Sequence, residues 1–117
     1  MVSKESAYRG CLLGLAVGDA LGYAVEFIRE PDIFARYGPD GITAYERDRE
    51  TGKALISDDT QMTMFTADGL VAAVRDESPD DPRAYAAKAY QDWLLTQLNS
   101  YTEVLRMDPS ELNGNVT

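Results

Sequence analysis

Residues 54–65, ALISDDTQMTMF, set Ser57, Asp58 and Asp59 side by side and follow them at once with Thr60 and Gln61. Hydroxyl and carboxylate oxygens are hard donors, the kind that hold Mg²⁺ or Ca²⁺. Where extended chain turns into a helix, consecutive side chains can converge on one point, which they cannot do in mid-helix. The same residues have a second use. Acids in a first helical turn favour the positive end of the helix dipole, and a Ser or Asp caps its free N–H groups. On this motif alone both readings stand. Three ligands also fall short of an octahedral set, so water, substrate or further acids would have to complete the shell.

A second set lies in GDALGYAVEF. Asp19 and Glu26 are seven residues apart, two helical turns, and would share a face if the helix ran that far. An acid inside an apolar, glycine-striped helix costs free energy if buried without a partner. Asp19 is therefore either a carboxylate hydrogen-bonded to backbone or a polar group facing a shared site. Glu26 stands just before the chain leaves the helix, where a simply solvated glutamate is the plain alternative.

Composition narrows the chemistry. The chain has no histidine, which excludes imidazole catalysis and His-ligated zinc within it. Its single cysteine, Cys11, permits no intrachain disulfide, and the apolar helical pattern around it predicts a buried, inert thiol. Twenty acidic against eleven basic residues give a net charge of −9. That surplus repels phosphate backbones, so nucleic acid is not an expected partner, although a divalent cation could still admit a nucleotide-like ligand. No basic segment followed by an unbroken apolar run opens the chain, which argues against a signal peptide. The run CLLGLAVGDALGYAV is interrupted by Asp19 and is too short and glycine-rich to span a bilayer. A cytoplasmic protein with no membrane partner is expected, and the sequon in the terminal NVT then carries no weight.

The elements that would position these residues follow from periodicity. Tyr8, Cys11, Leu12, Leu15 and Ala16 recur at helical spacing and predict a helix over about 6–22, capped by Ser6 or Ser3. Gly10, Gly14, Gly18 and Gly22 form a stripe along it, at a cost of roughly 1 kcal/mol each relative to alanine. Close approach of another helix, or of a ligand, would compensate. Residues 31–53 are the least regular stretch. A short helix from Pro31 to Gly38 is expected, then a turn at Pro39-Asp40-Gly41, then two short strands or extended arms around Thr51-Gly52. Met62, Phe65, Gly69, Leu70, Ala73 and Val74 predict a second main helix over about 58–76. The linker RDESPDDP leads to a third over 83–98, with Tyr85, Ala89, Trp93, Leu94 and Leu98 available for burial. Beyond Ser100 the signal weakens to at most a brief helix start in PSEL, residues 109–112. The expectation is an all-α fold in one domain over 1–117, with a short irregular insertion near 38–56. It reads as an incomplete domain, because the glycine-striped helix is built to be surrounded.

Taken in order, GCLLGLAVGDALGYAVEF and SDDTQMTMFTADGL resemble the ADP-ribosylglycohydrolase family, which includes the dinitrogenase reductase-activating glycohydrolase and the ADP-ribosylarginine and ADP-ribosylserine hydrolases. The family's GxxxGDxxG helix, with a glutamate shortly after it, is matched by Gly14, Gly18, Asp19, Gly22 and Glu26. Its (S/T)DDT motif is matched by Ser57, Asp58, Asp59 and Thr60. The resemblance covers about residues 6–75, and more loosely YQDWLLTQ. It implies the N-terminal part of a helical domain with a two-metal centre of Mg²⁺ or Mn²⁺. Ser57, Asp58 and Asp59 match metal ligands, and Glu26 matches a catalytic glutamate near the reacting ribose. Asp19, Gly22 and Thr60 are weaker substrate-binding candidates. The implied activity is metal-dependent hydrolysis of the bond joining ADP-ribose to a protein side chain.

The resemblance also implies a C-terminal D-x-D-(S/T) motif carrying the remaining ligands, and this sequence lacks one. After Asp92 its carboxylates are Glu103, Asp108 and Glu111. Activity would then need a missing segment or a complementing chain, and the sequence reads as a fragment, a truncated gene product or one piece of a split protein. The expected partner is ADP-ribose or an ADP-ribosylated protein. The alternative is a non-catalytic remnant that binds ADP-ribose or forms a homo-oligomer through its glycine-striped face. An acidic helical interaction module would explain the composition but not the ordered pair of motifs.

Overall fold

The computed structural model describes residues 1–77 and 80–107. The PSEL segment, Asp108, Glu111 and the NVT sequon lie outside the described residues. Among those described, the secondary structure is helical with no strand: α1 Lys4–Gly22, α2 Glu30–Tyr37, α3 Asp58–Arg75, α4 Arg83–Leu98 and α5 Tyr101–Val104. The all-α expectation holds. The chain divides into two compact units, Met1–Thr60 and Gln61–Thr117.

In the first unit, the Ser3 hydroxyl caps α1 by accepting from the Ser6 N–H at 3.1 Å. The helix therefore starts two residues ahead of the expected boundary. It ends at Gly22 and tightens into a 3-10 turn, Tyr23–Val25, with Glu26 still at helical dihedrals (φ −50°, ψ −40°). The backbone thus keeps a helical course from Asp19 to Glu26. No residue of α1 is buried. Tyr8 is 70% exposed and Cys11 is exposed too, so the buried inert thiol that the periodicity predicted is not found. Among the described residues, none covers the face of α1 that carries these two side chains.

Pro31 enters α2 in its first turn, where its missing N–H is no loss. Gly38 closes the helix at φ 91°, ψ −178°, a conformation that a side chain would strain, and its N–H reaches the Phe34 carbonyl at 2.9 Å. Of the two alternatives around Thr51-Gly52, strands do not form. Extended arms run instead to a tight turn organised by Asp48, whose Oδ1 accepts from the Glu50 N–H, the Thr51 N–H and the Thr51 hydroxyl at 3.2, 2.8 and 2.8 Å. Gly52 completes that turn at φ 68°, and the Asp48 N–H meets the Lys53 carbonyl at 2.9 Å. Glu46 pins the arm to α2 by accepting from Arg36 at 2.7 Å and from the Tyr37 hydroxyl at 2.6 Å. That bond to Glu46 pushes the Tyr37 phenol above its ordinary value.

In the second unit, α3 from Gln61 onward and α4 form an antiparallel hairpin. Gln61 pairs with Trp93 and Gln97, Thr66 with Tyr90, and Gly69 with the Tyr85–Ala86 backbone, so rising numbers on α3 meet falling numbers on α4. Ala73 and Ala89 supply the buried apolar core. Leu70, Val74, Leu94 and Leu98, expected on the buried faces, are exposed. The short α5 carries a capping box: the Ser100 hydroxyl accepts from the Glu103 N–H, and the Glu103 carboxylate accepts from the Ser100 N–H. No single helix among the described residues is long and apolar enough to cross a membrane.

Candidate functional site

The first turn of α3 shows how sequence produces the site. Ser57 is the residue before the helix, and its hydroxyl accepts from the Asp59 N–H at 3.1 Å, which is N-cap geometry. The free N–H groups of this turn and the helix dipole favour the acids at Asp58 and Asp59. Ser57 is 8% exposed and Thr60 6%, whereas Asp58 and Asp59 are exposed. The motif is therefore split: its two hydroxyl residues are buried and the two carboxylates between them are exposed.

The buried groups meet Asp19 from the last turn of α1. One oxygen, Asp19 Oδ2, accepts from the Ser57 N–H at 2.9 Å and from the Thr60 hydroxyl at 2.5 Å. Partial burial pushes the Asp19 carboxyl up. The bonds from Thr60 and Ser57 together outweigh it and hold the group below the usual carboxylate range. Asp19 is thus a half-buried carboxylate satisfied by backbone and hydroxyl, and it also lines an open depression.

That depression, about 340 Å³, lies within the first unit and is lined by Asp19, Gly22, Glu26, Ser57 and Asp59 with Tyr23 and Val25. Five of the seven candidate residues therefore share one concavity. Asp58 and Thr60 are not on its wall. Tyr23 and Val25 were not singled out from sequence, although their place between Gly22 and Glu26 was the available signal.

The donor set is entirely oxygen. Among the described residues, the carboxylates of Glu26, Asp58 and Asp59 accept no hydrogen bond and form no ion pair, so their charge is uncompensated. Hard, uncompensated oxygens beside a pre-formed helix start fit a divalent cation chemically. No three acidic or thiol side chains among the described residues are gathered closely enough to form a cage by themselves. A cation here would keep water or take further ligands.

Comparison with known proteins places these features in context. A model of the ADP-ribosylglycohydrolase family matches residues 2–116, nearly the whole chain. The chain is also similar to a protein of Archaeoglobus fulgidus described only as uncharacterized, with 36% identity over 93 residues. That alignment covers 78% of this chain and 28% of the relative, so the chain spans well under a third of that protein's length. No solved structure matches.

Proposed function

The chain belongs to the ADP-ribosylglycohydrolase family, and from that premise we propose that it contributes part of the site for metal-dependent hydrolysis of the glycosidic bond between ADP-ribose and a protein side chain. One observation carries the reading: Glu26, Ser57 and Asp59 line a single depression at the start of α3, and the carboxylates of Glu26 and Asp59 have no partner among the described residues. Ser57, Asp58 and Asp59 would hold Mg²⁺ or Mn²⁺, with the remaining ligands supplied by further sequence in cis or by another chain. When bound, the cations supply Lewis-acid charge stabilisation and fix the orientation of the ribose hydroxyls.

The chain's own residues have separable tasks. The bond at the ribose anomeric carbon breaks through an oxocarbenium-like centre, which a nearby carboxylate stabilises. Glu26, exposed on the wall of the depression, positions the attacking water, takes its proton on a carboxylate oxygen as the water oxygen bonds to the anomeric carbon, and returns a proton to the side-chain heteroatom that departs. Ser57 is fixed by accepting from the Asp59 N–H and keeps a lone pair free for a cation. Asp58 and Asp59 supply negative charge where the helix start favours it.

The test is a thermal shift. ADP-ribose should raise the melting temperature only when Mn²⁺ is present, and Asp58→Ala with Asp59→Ala should abolish the shift. A shift that ignores both the metal and the double substitution contradicts the reading. It would favour the second one, a non-catalytic ADP-ribose-binding or self-associating module. That module is supported by one feature, the glycine stripe of α1 facing open space beside exposed Leu13 and Val17. Chain mass in solution separates self-association from ligand binding.

A further inference from the structure

We propose that Asp19 and Thr60 act as a positioning pair that locks the first turn of α3, and with it the oxygens of Ser57 and Asp59, to the last turn of α1. The functional consequence rests on the metal-centre reading above, while the lock itself rests on geometry alone. Asp19 Oδ2 accepts two hydrogen bonds from residues 38 and 41 positions further along the chain: from the Ser57 N–H at 2.9 Å and from the Thr60 hydroxyl at 2.5 Å. Both donors belong to the turn that presents the candidate ligands. Ser57 in turn accepts from the Asp59 N–H, so a single carboxylate oxygen fixes Ser57 directly and Asp59 through it.

Three physical points favour positioning over ligand contact. Thr60 is 6% exposed and off the wall of the depression, so its hydroxyl is committed to Asp19 and does not meet a ligand. Asp19 Oδ2 already accepts two hydrogen bonds, and hydrogen bonds to an ionised acceptor are the stronger kind. A helix start also lacks intrahelical partners for its first N–H groups, so an outside acceptor decides where the turn sits. Groups that hold ligands in place in this way typically govern metal affinity by about 10–100-fold.

The experiment uses two pairs of variants and two readouts on the full chain. Thr60→Val removes the hydroxyl at nearly constant shape, while Thr60→Ser keeps it. Asp19→Ala removes the acceptor, while Asp19→Asn keeps an acceptor oxygen without the charge. Mn²⁺ affinity, followed by the loss of the free-ion paramagnetic resonance signal, should fall about tenfold or more in Asp19→Ala and Thr60→Val. It should stay near wild type in Thr60→Ser and fall by less in Asp19→Asn than in Asp19→Ala, because the amide oxygen still accepts but without the charge. Without metal, hydrogen exchange at the Ser57 amide should quicken by roughly tenfold in the first two variants, by less in Asp19→Asn and not in Thr60→Ser. An Asp19→Asn variant as weak as Asp19→Ala overturns the proposal, because Asp19 would then act through its charge at the metal. Unchanged Mn²⁺ affinity in Asp19→Ala and Thr60→Val, with loss in Asp58→Ala, also overturns it. If the wild-type chain takes up no Mn²⁺, the metal reading fails, and unchanged Ser57 exchange would separately sink the lock.

Discussion

At Gly69 in α3, a Cβ would lie 2.8 Å from the Tyr85 carbonyl oxygen and 3.1 Å from Ala86 Cα, while at Gly10, Gly14, Gly18 or Gly22 of α1 it would meet no atom within 4 Å. The polar groups divide the same way. In the α3–α4 hairpin, Gln61 accepts from Trp93 at 3.0 Å and from Gln97 at 3.1 Å, and Thr66 meets Tyr90 at 2.7 Å. In the first unit, the carboxylates of Glu26, Asp58 and Asp59 have no such partners among the described residues. The hairpin's unusual residues are explained by its own packing. Those around α1 and the start of α3 are not, and an account of function has to explain them.

Glycine substitutions sharpen that contrast. Gly69→Ala should destabilise the hairpin by about 1–3 kcal/mol, because the added methyl meets backbone that cannot rotate away. Gly14→Ala should instead stabilise α1 by up to about 1 kcal/mol, since alanine favours the helix and the position is open. Urea unfolding midpoints read both. A Gly14→Ala variant that loses stability would break the comparison and show the stripe covered in solution.

Asp92 is an exception within the hairpin, and its expected effect is the smallest. Its Oδ1 is shielded from solvent and has no partner among the described residues. Burial pushes the carboxyl above its ordinary value; Lys88 opposes the shift and Asp68 adds to it. A folded-state pKa raised above the unfolded one means that stability falls as pH rises from the unfolded value of 3.8 through the folded value. The penalty is then fully present at neutral pH. Asp92→Asn should raise the melting temperature at neutral pH and flatten its dependence on mildly acidic pH. A variant that follows the wild-type pH profile would show that Asp92 is solvated after all.

The three long helices were legible because local periodicity and the Pro82 and Gly22 boundaries agree with the packing, and α3 and α4 start and end within a residue of expectation. Short α2 was legible from Pro31 and Gly38. The α5 capping box stood in the sequence as Ser100-x-x-Glu103 and went unread, since four residues carry too little periodicity to draw attention. Around Thr51-Gly52 the sequence allowed strands or extended arms, and the arms are what form: the Asp48 side chain holds the Glu50 and Thr51 N–H groups in the turn, and the Asp48 N–H meets the Lys53 carbonyl. Burial along α1 was not legible, because periodicity marks a face fit to be covered and does not supply the cover. At the site, Ser57 as cap could be read locally. The tie from Asp19 to Thr60 could not, since it joins residues 41 positions apart.

Calorimetric titration of the chain with Mn²⁺, in the presence of ADP-ribose, tests the central claim most directly. The account predicts saturable binding that disappears in the Asp58→Ala, Asp59→Ala double variant while the helical content measured by circular dichroism is kept. Absence of binding by the wild-type chain, or equal binding by the double variant, would contradict it.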